Sequence, residues 1–305
     1  MEKNDYLNKL HGWLIIDKPS GIGSTKIVNV IKKKIGIKKI GHWGTLDPDA
    51  TGVLALALGE ATKTIKFIEN SLKTYRFTIR LGISTDTDDS SGNIINKSKI
   101  RPKTKTIKDV IKNFEGEISQ IPPRLSAIKI NGKRAYNLFR EGKKYELSPR
   151  QIFVENINVL QRKNIDELTI ELTCGKGGYV RSIARDLGDL LGCYGHAHGI
   201  KRLKCGPFSI EGSICLDKFI LMSNEELKNH ILPIGSVLKN LPNFTCKAQD
   251  LNKILNGVSC KIKQDSRLNY DLALINHKNI PLAFGEVKNE VFFPTRVFNI
   301  LKRNF

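Results

Sequence analysis

The sequence predicts an α+β protein, and three observations carry that reading. Tyr75 to Leu81 alternates apolar and polar side chains, the period of a half-buried strand. From Arg181 onward, Ile183, Ala184, Leu187, Leu190 and Leu191 recur at the spacing of one buried helix face. Beyond Leu241-Pro242-Asn243 the composition changes, and short apolar runs separated by turns predict a small β unit.

The elements follow in order. Trp13 to Ile16 is a short apolar strand closed by the turn Asp17-Lys18-Pro19-Ser20-Gly21. Ser24 or Thr25 is placed to cap a helix with Ile27, Val28 and Ile31 inward and Lys32-Lys33-Lys34 at its C-terminal end, where the dipole favours cations. Gly41 to Gly52 is a glycine-rich loop leading into the strand Val53 to Leu58. Asp86 to Gly92 is an acidic turn, and a helix is expected around Ile107 to Phe114. After Pro122-Pro123, a strand is expected at Ser126 to Ile130, a basic turn at Gly132-Lys133-Arg134 and a helix at Ala135 to Arg140. Leu168 to Thr173 is a strand, and Gly192 stops the helix that begins near Arg181. The tail runs are Asp271 to Ile275, Leu282 to Phe284 and Val291 to Phe293. This divides the chain into residues 1–243 and 244–305.

The 305 residues carry 50 Lys and Arg against 30 Asp and Glu, a formal net charge of +20. Such an excess favours a polyanionic partner; the Lys, Asn and Ile drift of an AT-rich genome is its other source. The longest uninterrupted apolar run, Val53 to Leu58, is far below the roughly 20 residues of a spanning helix. The stretch Gly12 to Ile16 is too short for a signal-peptide core, so a cytoplasmic protein is expected. The six cysteines make no CxxC pair, and His196 and His198 lie among glycines without a partner set, so no metal site is expected. P-loop, dinucleotide-fingerprint and nucleophile-elbow spacings are absent.

Two segments hold the chemistry. In Gly41-His42-Trp43-Gly44-Thr45-Leu46-Asp47-Pro48-Asp49-Ala50-Thr51-Gly52, Asp47 is either the aspartate of an Asp-Pro turn or a reactive carboxylate. In Gly178-Tyr179-Val180-Arg181-Ser182, Arg181 is either a surface arginine or the partner that keeps a carboxylate ionised.

The first segment, continued by Val53-Leu54, resembles the Gly-His-x-Gly-Thr-Leu-Asp-Pro-x-Ala-x-Gly-Val-Leu signature of the TruB family of pseudouridine synthases. Gly12 to Gly21, Gly59 to Lys63, Pro122 to Lys129, Gly132 to Tyr136, Gly177 to Gly188, Lys201-Arg202-Leu203 and Phe293 to Phe298 are similar to further family motifs in the same order. Trp43 and Asp49 depart from it, standing where the family usually has a small residue and often an apolar one. The resemblance implies a mixed, mostly antiparallel central sheet with the site in a cleft, followed by a small PUA-like β domain. It also implies isomerisation of uridine to pseudouridine at position 55 in the T-loop of tRNA, with no cofactor.

By the same resemblance Asp47 is the catalytic aspartate and Arg181 its ion-pair partner. Tyr75 stacks on the target base, Tyr179 and Leu203 wall the pocket, His42 stands where the base has left the stack, and Lys63 meets phosphate. Arg101 to Lys112 and Lys129 to Lys144 are the expected backbone-contacting stretches. Trp43 either stacks on a neighbouring T-loop base or is buried. The partner implied is the T-arm stem-loop of tRNA, met by a monomer without guide RNA, since the long extensions of the guide-dependent relatives are missing. Truncation from about Phe244 is expected to weaken tRNA binding more than chemistry. A non-catalytic RNA-binding or ribosome-assembly factor of the same fold is the alternative; its mark would be loss of Asp47 or Arg181, and both are present. A glycosidase that releases free base is a further one.

Overall fold

The computed structural model describes residues 10–262 and 268–301. Among them, a mixed sheet of eleven strands forms the body. Its main path runs Ile214–Cys215, Gly12–Lys18, Thr51–Leu58, Gly195–Cys205, Lys73–Leu81, Glu167–Cys174, Arg150–Arg162, Gly116–Gln120. Pairing along it is antiparallel except at two places. Ile214–Cys215 runs parallel to Gly12–Lys18, and Gly195–Cys205 runs parallel to Thr51–Leu58 through Lys201 opposite Thr51 and Arg202 opposite Gly52.

The sheet explains two kinds of strand sequence. Gly12–Lys18 and Thr51–Leu58 are covered on both faces, so they read as unbroken apolar runs. Leu14, Ile16, Leu54 and Leu56 face the helix Ser24–Ile35 through its Ile27, Ile31 and Ile35. Trp13, Ile15, Val53 and Ala55 face the opposite way. Lys73–Leu81 keeps strict alternation, because Tyr75, Phe77, Ile79 and Leu81 meet the helices Val180–Leu190 and Thr104–Ile111 while Arg76 and Arg80 face solvent. Each fully buried Ile or Leu contributes about 1.5–3 kcal/mol, so the helices are held by these stripes rather than by their caps.

Several sequence expectations need correcting. Ser24 does not cap its helix: Gly23 holds that position and the Ser24 hydroxyl is engaged elsewhere. Only Lys129–Ile130 of the expected strand from Ser126 pairs, with Lys133–Arg134. The strands Arg150–Arg162 and Gly195–Cys205 were not anticipated. The second is interrupted by register shifts at Gly199-Ile200 and at Leu203, which erase any simple period.

A second sheet holds Asn243–Thr245, Tyr270–His277, Ile280–Lys288, Val291–Val297 and Cys260–Lys261, matching the β tail that the sequence predicts. It is not a detachable appendage. Its Leu274 and Phe284, together with Phe298, belong to the same core as Trp13, Val53 and Ala55, and Phe67 stacks on Phe284 at 4.4 Å between ring centroids. A cut near Phe244 would uncover the core behind the central strands.

Candidate active site

The loop between Trp43 and Thr51 is anchored on both sides of Asp47. The Ser24 hydroxyl donates to the Leu46 carbonyl and accepts from the Leu46 N–H, both at 2.9 Å. On the other side, the Pro48 carbonyl accepts from Lys18 Nζ at 2.8 Å and from the Gly21 N–H at 3.0 Å. Lys18 is fully buried and also donates to the carbonyls of Pro19 and Ile22; burial pulls its pKa down to about 8. With residues 46 and 48 tied, Asp47 projects from a fixed backbone into solvent-accessible space.

Asp47 Oδ2 lies 2.9 Å from Arg181, whose side chain is 4% exposed against 49% for the aspartate. The fold thus brings together the two residues that the motifs single out. Arg181 is steered by groups that sequence reasoning missed. It donates to the carbonyls of Thr87 at 3.2 Å and Leu125 at 3.0 Å, and lies 3.4 Å from Asp89. The acidic turn Asp86 to Gly92 was visible as a cluster of charges without a partner. Its purpose becomes evident only when the fold sets it against the start of helix Val180–Leu190, where Asp88 also pairs with Arg185 at 2.7 Å. Arg181 thus sets a buried, always-charged guanidinium against the Asp47 carboxylate.

Tyr179 precedes this helix, half-buried, with its backbone N–H donating to the Gln120 side chain at 2.9 Å. Burial raises its phenol pKa, and Asp47 is close enough to add to that rise. Tyr75 sits opposite Arg202 across the sheet, its phenol pushed up to about 12, chiefly by burial. Leu203 occupies the register shift between Arg202 and Lys204, half-buried. A bulge of this kind re-aims a side chain, consistent with a wall residue. His42 is half-buried on Ile40–Trp43; burial and then Arg202 lower its pKa, so the ring is neutral near pH 7. Its Nδ1 is buried without a hydrogen-bond partner.

Lys63 and Trp43, one assigned to RNA contact and the other left open from sequence, are both engaged within the fold. Lys63 is not a free phosphate contact. It pairs with Glu60 and donates to the Val297 carbonyl at 2.7 Å, while Glu60 accepts from the Asn299 N–H at 2.8 Å. Both groups are spent joining the first motif to the end of the second sheet. Trp43 is a core residue, 4% exposed, packed with Phe208 and Cys205 in one cluster and capped by Lys73 Nζ at 4.8 Å from the ring centroid. Its ring is not available to an RNA base. Gly206, in the left-handed region at φ 54°, makes room for it: a Cβ there would lie 2.8 Å from the indole.

The basic stretches divide as well. Arg101 is occupied by Asp166 and the carbonyls of Ser98 and Ile100. By contrast, Lys129, Lys133, Arg134 and Lys144 are exposed on a segment that leaves the site at Leu125, the carbonyl bound by Arg181. Among the described residues no group of three or more metal-ligating side chains exists, and no helix is long and apolar enough to cross a membrane.

A large mixed sheet, an aspartate paired with a buried arginine and a cationic segment beside them make up an enzyme-like site next to a basic surface. Residues 32–180 match the model of the TruB family pseudouridylate synthase N-terminal domain, and residues 181–239 that of the tRNA pseudouridylate synthase B C-terminal domain. The chain is 44% identical over 290 residues to tRNA pseudouridine synthase B of Ruegeria pomeroyi, covering 95% of this chain and 96% of the relative. It is 41% identical over 298 residues to the protein of that name from Ehrlichia ruminantium, covering 95% and 100%. Among solved structures, the fold resembles a chain of an H/ACA RNP bound to a substrate RNA containing 2′-deoxyuridine, with TM-score 0.71 and 23% identity over 96% of this chain and 86% of that one. A Cbf5-Nop10-Gar1 complex gives TM-score 0.70 at 25% identity, with the same coverage. The chain belongs to the TruB family of pseudouridine synthases.

Proposed function

We propose that this chain isomerises uridine 55 in the T-loop of tRNA to pseudouridine, acting in the cytoplasm as a monomer without guide RNA or cofactor. The observation that carries the reading is the Asp47–Arg181 pair at 2.9 Å in a loop fixed on both sides of the aspartate. The N1–C1′ bond breaks, the base turns, and C5 bonds to C1′. The C5 proton leaves and N1 gains one, so composition and oxidation level are unchanged.

The ionised Asp47 carboxylate assists departure of the base, either by attacking the substrate or by stabilising or deprotonating the sugar. Tyr75 stacks on the extruded base, returning about 1–3 kcal/mol of the unstacking cost. Tyr179 and Leu203 limit its rotation, and neutral His42 lies against the RNA where the base departed. Residues 1–243 carry the catalysis, and residues 244–305 add RNA contacts to a surface to which they are structurally joined.

Incubating the protein with unmodified tRNA transcript and mapping pseudouridine and free uracil tests the proposal. Stoichiometric pseudouridine at one T-loop position is expected. Free uracil would indicate a glycosidase, and tight binding without any product a non-catalytic RNA-binding factor.

A further inference from the structure

Arg202 is fully buried, yet among the described residues it makes no ion pair. A buried cation without a carboxylate is costly and persists where its donors hold something in place. Arg202 Nε donates to the Val53 carbonyl at 2.8 Å, and an Nη donates to the Gly44 carbonyl at 2.7 Å. Those carbonyls stand at the two ends of the loop that carries Asp47. Both ends are also shaped around the arginine. Gly44 and Gly52 have φ of 72° and 97°, and a Cβ would lie 3.1 Å from the guanidinium at Gly44 and 2.2 Å from the Arg202 carbonyl at Gly52. On the neighbouring strand Arg202 faces Tyr75; its charge offsets part of the burial-driven rise of that phenol and adds to the burial-driven lowering of His42 and Lys18.

We infer that Arg202 is a positioning residue that sets the distance between the Asp47 loop and the Tyr75 strand, so that the sugar-facing carboxylate and the base-facing ring act on one nucleotide. This rests on the proposed isomerase reading. A planar, permanently charged fork can span two carbonyls at once, whereas a lysine ammonium offers a single point of attachment. The lysine variant keeps the charge and loses the span, which separates geometry from electrostatics.

The test compares wild type, Arg202→Lys and Arg202→Met in single-turnover assays at saturating enzyme, with RNA affinity measured in parallel. Backbone hydrogen exchange of residues 44–53 is measured at a temperature where each protein is folded. The expected result is a loss of about 10-fold or more in the chemical step for Arg202→Lys and about 100-fold for Arg202→Met, since small misplacement of reacting groups costs that much. RNA affinity should stay within about 3-fold, and loop amides should lose protection in both variants. A chemical step near the wild-type rate in Arg202→Lys, or a loss confined to RNA affinity, would overturn the inference. Should Arg202→Met fail to fold, the lysine variant decides. The exchange measurement needs no activity: unchanged protection sinks the positioning role by itself, while an inactive wild type with a loosened loop in Arg202→Lys would instead count against the isomerase reading.

Discussion

The Asp47 loop and the segment from Pro122 to Arg150 both reach Arg181, and they are built in opposite ways. The loop contains two exposed carboxylates, Asp47 and Asp49, and its backbone is tied by Ser24, Lys18 and Arg202 from three separate elements. The segment has a two-residue hairpin, one short helix from Ala135 to Arg140 and many exposed side chains, Lys133, Arg134 and Lys144 among them. It is tied to the body by the Leu125 carbonyl on Arg181 and, at its far end, by the pairing of Arg150 with Gln120. Chemistry demands sub-ångström placement, so its carrier is over-determined. Phosphate contact requires charge at the right distance and tolerates adjustment.

The sharpest way to break this comparison is Asp47→Asn. The substitution keeps the loop's size and removes its charge, so pseudouridine formation should disappear while tRNA affinity changes by only a few-fold. Substantial residual turnover would show that the carboxylate is not the reacting group.

Gly52→Ala comes next. Its methyl must displace the Arg202 backbone, and φ of 97° is strained for any other residue. The single-turnover rate should fall about 100-fold with the salt dependence of binding unchanged; a shifted salt dependence would mean that the loop also carries phosphate contacts.

Replacing Lys133, Arg134 and Lys144 together by Gln should have the complementary effect. KM rises, kcat holds, and the slope of log affinity against log salt becomes shallower by about 0.7–0.9 for each phosphate that these cations neutralise. An unaltered slope would remove them from the interface.

The smallest effect is expected at Trp43, outside both regions in function though inside the loop motif in sequence. Trp43→Phe should cost less than about 1.5 kcal/mol of stability if the core repacks, with KM unchanged. In a Trp13→Phe background, the remaining Trp43 fluorescence should stay constant on adding tRNA; a clear change would reopen a role at the RNA surface.

Much of the site was legible because its residues lie in contiguous motifs: Asp47 in one, Tyr179 and Arg181 in another, Leu203 in a third. What the chain order hides is pairing between segments. Lys63 reads as a free cation because its partners Val297 and Asn299 lie more than two hundred positions away in the chain. Arg202 reads as one more basic residue beside Lys201, and only the parallel pairing with Thr51–Leu58 puts it beneath the loop. The helix Val180–Leu190 and the Lys73–Leu81 strand were readable because a single face of each is buried. The Gly195–Cys205 strand was not, since its bulges and its histidines, lysines and glycines leave no period to detect.

The link from Glu60 and Lys63 to residues 297 and 299 also orders events during synthesis. Trp13, Val53 and Ala55 leave the ribosome well before Phe284 and Phe298, which complete their core. At about 5–20 residues per second the gap lasts roughly 10–50 s. Throughout that interval the nascent chain carries an uncovered apolar sheet face, a natural station for a chaperone, and the scaffold closes only once residues 284–298 have been made.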